Sequence, residues 1–94
     1  MEIKLHTVGH IVDGDKYKDW FVFVQTYRNA EGYLVLICNS KTFGRDDEGS
    51  PIEGLEGYDE WIIDLLNLEH YFSYHNWKVE WLDWKPAWLE DTAE

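Results

Sequence analysis

The sequence predicts an α+β fold of two layers, an antiparallel sheet of about four strands in the order β-β-β-α-β with one amphipathic helix packed on one face. Three observations lead there. Two runs of β-branched and aromatic residues, Trp20 to Tyr27 and Tyr33 to Cys38, flank a turn-forming stretch. A helical spacing of apolar residues begins at Tyr58, and strand-like alternation returns at Trp77.

In chain order, Ile3 to Val8 alternates apolar and polar side chains, the period of a half-buried strand, and Ile11-Val12 extends it past Gly9. Asp13-Gly14 is a hairpin signal, because glycine accepts the positive φ of a tight primed turn. Trp20 to Tyr27 reads as a strand covered on both faces for part of its length, Arg28 to Gly32 as a short hairpin loop, and Tyr33 to Cys38 as the return strand.

Residues 40–57 form a long, acidic, glycine-rich loop with four glycines, one proline and no periodicity; a loop of this length in a compact domain is usually functional or disordered. From Tyr58 the apolar residues Trp61, Ile62, Leu65, Leu68 and Phe72 follow at helical spacings, with Asp59, Glu60, Asp64 and Asn67 between them. The acids would then sit in the first turns of the helix, where its dipole favours them, and Asn76 would cap its end. Trp77 to Trp81 alternates as a last strand that continues to about Asp83. Trp77, Trp81, Trp84 and Trp88 also make a helical stripe, but Pro86 would break such a helix, so a bend and a short helical start at Pro86 are expected within an acidic tail, residues 86–94.

The 94 residues suit one domain, and 45% hydrophobic with 17% aromatic content is too rich for disorder. The net charge of −11 is concentrated. Residues 1–45 hold six cations and five carboxylates, or +1; residues 46–94 hold two and fourteen, or −12. Eight carboxylates fall between Asp46 and Asp64 with no Lys or Arg among them. Such a chain offers nucleic acid no basic footprint and is repelled by anionic membranes. Cys38 has no partner for an internal disulfide, the first residues lack the build of a signal peptide, and no apolar run approaches the roughly 18 residues of a membrane span. A cytoplasmic location is expected, or a host cytoplasm were the chain phage-encoded.

Chemistry-bearing motifs are weak. On a regular strand His6 and His10 would lie about 13 Å apart, too far to share an ion. His70 and His75 miss the i, i+4 spacing of helical metal ligands, and Asp13-Gly14-Asp15 with Asp19 reads as a polar turn rather than a calcium loop. Cys38 ends a buried strand, where a thiol behaves as a small hydrophobe. No catalytic residue, metal or cofactor is assigned.

The acidic stretch carries more weight. Asp46, Asp47, Glu48, Glu53, Glu56, Asp59, Glu60 and Asp64 would line one edge of the domain, and like charges held together at a cost in self-repulsion are easiest to understand opposite a basic partner. Tyr71, Tyr74, Trp84 and Trp88 are the aromatics expected to be exposed beside them, as anchors within a charged rim; Trp20, Trp61, Trp77 and Trp81 are expected in the core. The expected function is therefore that of a small acidic inhibitory protein that blocks a basic macromolecule, its carboxylates occupying positions otherwise taken by phosphates. In size and charge pattern the chain resembles bacterial immunity proteins, which block nuclease toxins, and phage anti-defence proteins such as anti-CRISPR nucleic-acid mimics; no motif carries the resemblance to individual residues. The expected partner is a basic protein, with no direct nucleic acid or membrane contact, and the chain itself a monomer or homodimer. The alternative is a small-molecule or peptide-binding module using an aromatic-lined open sheet face.

Overall fold

The computed structural model describes residues 2–27, 29–44, 54–86 and 89. Its elements run β1 (Val8–Asp13), β2 (Phe21–Tyr27), β3 (Ala30–Cys38), β4 (Gly57–Ile62), α1 (Leu65–Tyr74) and β5 (Lys78–Trp81). The strands form a five-stranded sheet in the spatial order β4-β3-β2-β1-β5, every neighbouring pair antiparallel. This is the α+β architecture expected, with one strand more.

The chain returns from β4 at one edge of the sheet to β5 at the other, across four interstrand spacings or about 19 Å. A helix of ten residues, about 15 Å long, makes most of that crossing over a single sheet face. Alone, a helix this short is unstable in water, so what holds α1 is the burial of Leu68 and Phe72, each contributing about 1.5–3 kcal/mol. Strand alternation brings Ile11, Val22, Val24, Val35, Ile37 and Ile62 to the same face, and with Leu68, Phe72 and Trp77 they form the main core. On the opposite face Val8 and Phe23 are covered by Leu89 and by Phe43, whose ring lies edge-on to Phe23 at 6.1 Å.

The largest departure from the sequence reading is at residues 57–62. The helix expected from Tyr58 begins only at Leu65, and Gly57–Ile62 pairs instead with β3, from Tyr33 opposite Ile62 to Cys38 opposite Gly57. An unpaired β3 would leave its backbone groups without partners beside a buried core, and tertiary pairing outweighs helical periodicity over so short a stretch. Asp64, expected among the acids of the first helical turns, is the N-cap: its Oδ1 accepts the Asn67 N–H at 2.8 Å. Asn76, at φ 55, takes the left-handed conformation expected after the helix.

Two further boundaries move. β1 starts at Val8, not Ile3, because His6 at φ 60 breaks the extended chain. Asp13-Gly14 is not a tight two-residue turn: residues 14–20 form a longer loop, stitched by Lys18 N–H to Asp15 C=O and Trp20 N–H to Tyr17 C=O, which lays Tyr17 and Trp20 against the main core. The expected hairpin between β2 and β3 is present but tighter, with β3 already begun at Ala30. At the other end the last strand is confirmed as β5, although it stops at Trp81 rather than Asp83. The acidic tail lies outside the described residues except for Pro86 and Leu89, joined by the Leu89 N–H to the Pro86 carbonyl at 3.1 Å.

Gly9 lies opposite Trp81 in the β1–β5 register. A Cβ there would come within 2.5 Å of Val79 Cγ1 and 2.8 Å of Trp81 Cε3. Alanine ordinarily favours a strand over glycine, but here the overpacking wins, since neither a β-branched side chain nor an indole yields cheaply. Gly9→Ala is expected to lower stability by about 1–3 kcal/mol, read as a lower urea midpoint with an unchanged m-value.

Candidate protein-binding site

β4 is an edge strand, and among the described residues nothing pairs with its outer side. Gly57 through Trp61 are all exposed. The Asn39 N–H donates to the Glu56 carbonyl at 3.1 Å, which sets the phase of the β3–β4 ladder. Because hydrogen-bonded pairs alternate along an antiparallel ladder, Tyr58 and Glu60 bond inward to Ile37 and Val35, while the backbone groups of Gly57, Asp59 and Trp61 turn to the free edge.

The side chains alternate in the other sense. Tyr58, Glu60 and Ile62 lie on the helix face; Asp59 and Trp61 lie on the opposite face. Tyr58 stacks on Trp20 with ring centroids 6.1 Å apart, and Trp61 lies 5.9 Å from Tyr27. Trp61 is 44% exposed, not the core residue its apparent helical position suggested. Strand pairing turns it away from the face that α1 covers.

Between β4 and α1 opens a cleft of about 520 Å³, lined by Glu60, Trp61, Ile63, Asn67, His70, Tyr71 and Tyr74 among others. Tyr74 is 83% exposed, and Ile63, Leu65 and Leu66 leave further apolar surface where β4 passes into α1. Tyr71 is half-buried, its ring edge-on to His75 at 4.8 Å and to Trp77 at 5.6 Å. Burial, reinforced by the carboxylate of Glu60, the phenol of Tyr17 and the carboxylate of Asp15, pushes its hydroxyl up to about 12 from the ordinary 10.0. The cleft therefore holds a phenol that remains a proton donor beside a carboxylate. On the other sheet face, at the opposite end of β4, a cleft of about 370 Å³ is lined by Leu36, Cys38, Phe43, Gly57, Asp59 and Leu89 with their neighbours.

Of the residues singled out from sequence, Glu56, Asp59, Glu60 and Asp64 do lie along β4 and its two ends, with Tyr71 and Tyr74 across the cleft from β4. Trp84 is placed elsewhere. It follows β5 at the other edge, its backbone bonded to Thr7 and Val8 and its ring 5.8 Å from Lys41 Nζ. Asp46, Asp47, Glu48, Glu53 and Trp88 lie outside the described residues. Cys38 is buried, as expected of a strand thiol.

A second cluster had no signal in the sequence. Asp15, in the β1–β2 loop, accepts the Trp77 indole N–H at 2.9 Å and the Tyr17 backbone N–H at 3.0 Å, and its Oδ2 lies 2.6 Å from His75 Nδ1. The His75 ring stacks on Trp77 at 4.5 Å. The partners are separated by 60 and 62 residues, beyond the reach of any local motif. The pairing of His75 with Asp15 works as a clasp that ties the end of α1 to the β1–β2 loop. Nor do three His, Cys, Asp or Glu residues converge on one point among the described residues. No helix among them is long and apolar enough to cross a membrane.

No protein-family model, no curated protein and no solved structure matches this chain.

The two perturbed groups give stability a pH dependence of opposite sign at each extreme. Burial raises the Asp15 carboxyl, but the hydrogen bonds from Tyr17, Trp77 and His75 and the His75 charge outweigh it and hold the group below its ordinary 3.8. A lowered acid stabilises the fold fully above about pH 5 and progressively less as pH falls through 3.8 and below. The raised Tyr71 hydroxyl stabilises it below pH 10.0, and that contribution is lost as pH climbs toward about 12. Asp15→Asn should lower stability at neutral pH by about 1–3 kcal/mol and flatten the acid limb, while Tyr71→Phe should flatten only the alkaline limb. Urea titrations across pH measure both.

Proposed function

We propose that the protein binds and blocks a basic macromolecular partner through the edge formed by β4 and α1. The observation that carries this reading is a cleft of exposed apolar and aromatic residues beside Glu60, on a sheet edge that also carries Glu56 and Asp59 and that nothing pairs with among the described residues. Apolar anchors inside a charged rim are the composition of protein interfaces, and the rim accelerates encounter with a cationic surface. A partner site evolved to hold phosphates would present the necessary Arg and Lys, which favours a nuclease toxin or a nucleic-acid-handling defence effector. In that complex Glu56, Asp59 and Glu60 would take phosphate positions, with Trp61 and Tyr74 filling the site between them.

The volume of about 520 Å³ also favours a second reading, a cleft for a small ligand or peptide. The two separate by where charge matters: Glu56 and Asp59 lie outside that cleft, so a small ligand would be indifferent to them. With the partner isolated by affinity capture from the source cells, the double variant Glu56→Lys/Asp59→Lys should associate about tenfold more slowly at low salt and show a flatter salt dependence. Asp64 is left intact in this variant because it caps α1. Unchanged association kinetics would overturn the acidic-edge reading.

A further inference from the structure

Two clefts flank β4, one on each face of the sheet, and between them the strand offers an outward row of backbone groups, at Gly57, Asp59 and Trp61, that no strand pairs with among the described residues. An added strand sends alternate side chains to opposite faces, which is the arrangement two such clefts require. We infer that β4 receives an extended basic segment of the partner by strand addition, with a cationic side chain seated beside Glu60 on the helix face and apolar side chains directed to the cleft near Phe43 and Leu89. This rests on the proposed binding of a basic partner and specifies its mode.

Charge selects the occupant. A second copy paired through β4 would set Asp59 and Glu60 against the same carboxylates of its twin, and like charges opposed across strands destabilise pairing. A basic segment instead brings a cation to the carboxylate of Glu60 on the helix face. Beside Glu60 it also meets the rings of Tyr71 and Tyr74, and aromatic faces attract an Arg or Lys head group. Acids on an edge strand commonly serve only to prevent aggregation, but that purpose is poorly served by leaving Trp61, Ile63 and Leu66 exposed along the same edge.

The probe is a capped peptide of alternating arginine and valine, added to the full-length protein and followed by amide hydrogen exchange and by titration. Strand addition predicts that the amides of Asp59 and Trp61 slow about tenfold or more at saturation, while those of Tyr58 and Glu60, already bonded to β3, change little. Methylating every second peptide nitrogen in one phase should reduce affinity at least about tenfold, and methylation in the other phase should leave it intact, because only one set of N–H groups faces β4. Asp59→Pro, which removes an outward donor that the sheet does not use, should weaken binding well beyond the Asp59→Ala control. Equal binding of both methylated peptides and the parent would overturn strand addition while leaving a charge-driven contact in place. Absence of peptide binding would also overturn it, whereas the acidic-edge reading stands or falls separately on the partner's association kinetics.

Discussion

The indole N–H of Trp77 is carried into a core where the side chain is 1% exposed, and it must find an acceptor there. Asp15 supplies it. The same carboxylate takes the Tyr17 backbone N–H and pairs with His75, so one group joins the β1–β2 loop to the end of α1 and the start of β5. Hydrogen bonds to a charged group contribute about 1.5–3 kcal/mol each, enough to offset the desolvation of a partly buried carboxylate when several converge. The consequences reach the β4–α1 edge: Tyr17 and Trp20 are pinned over the helix face, Trp20 supports Tyr58, and Tyr71 is held against His75 and Trp77. The aromatic wall behind the β4–α1 cleft is thus positioned by a contact made on the far side of that wall.

The edge itself follows from connectivity. The crossing of α1 over the sheet consumes the helix, leaving its first turn above β4 and its apolar stripe committed to Leu68 and Phe72. Residues that a longer helix would have turned inward are left outside: Ile63, Leu65 and Leu66 at the crossing, and Trp61 on the wrong face for burial beneath α1. Carboxylates beside such a surface keep it dispersed in water.

Sequence patterning revealed what depends on local side-chain periodicity. The strands around Val22–Val24 and Val35–Ile37 were legible because burial on both faces leaves an unbroken apolar run, and the buried ring of Trp77 because it opens an alternating stretch. Residues 57–62 were misread because Tyr58, Trp61 and Ile62 fit a helical spacing, while Tyr58, Glu60 and Ile62 fit a strand only once β3 is known to lack a partner on that side. That is non-local information. Asp59 and Glu60, expected on a helix, lie on a strand, whereas Glu56 stays in the loop expected of it, and the clasp of Asp15 with His75 and Trp77 joins positions no spacing rule connects.

The two rims of the sheet are chemically unlike. β4 presents six residues, five of them exposed and two of those acidic, whereas β5 is only four residues long, with exposed Lys78 and Glu80 interrupting it. A short charged rim is a poor template for further pairing. Among the described residues only one rim is therefore suited to accept a strand, so the proposed pairing would have a valency of one and would terminate a sheet rather than extend it.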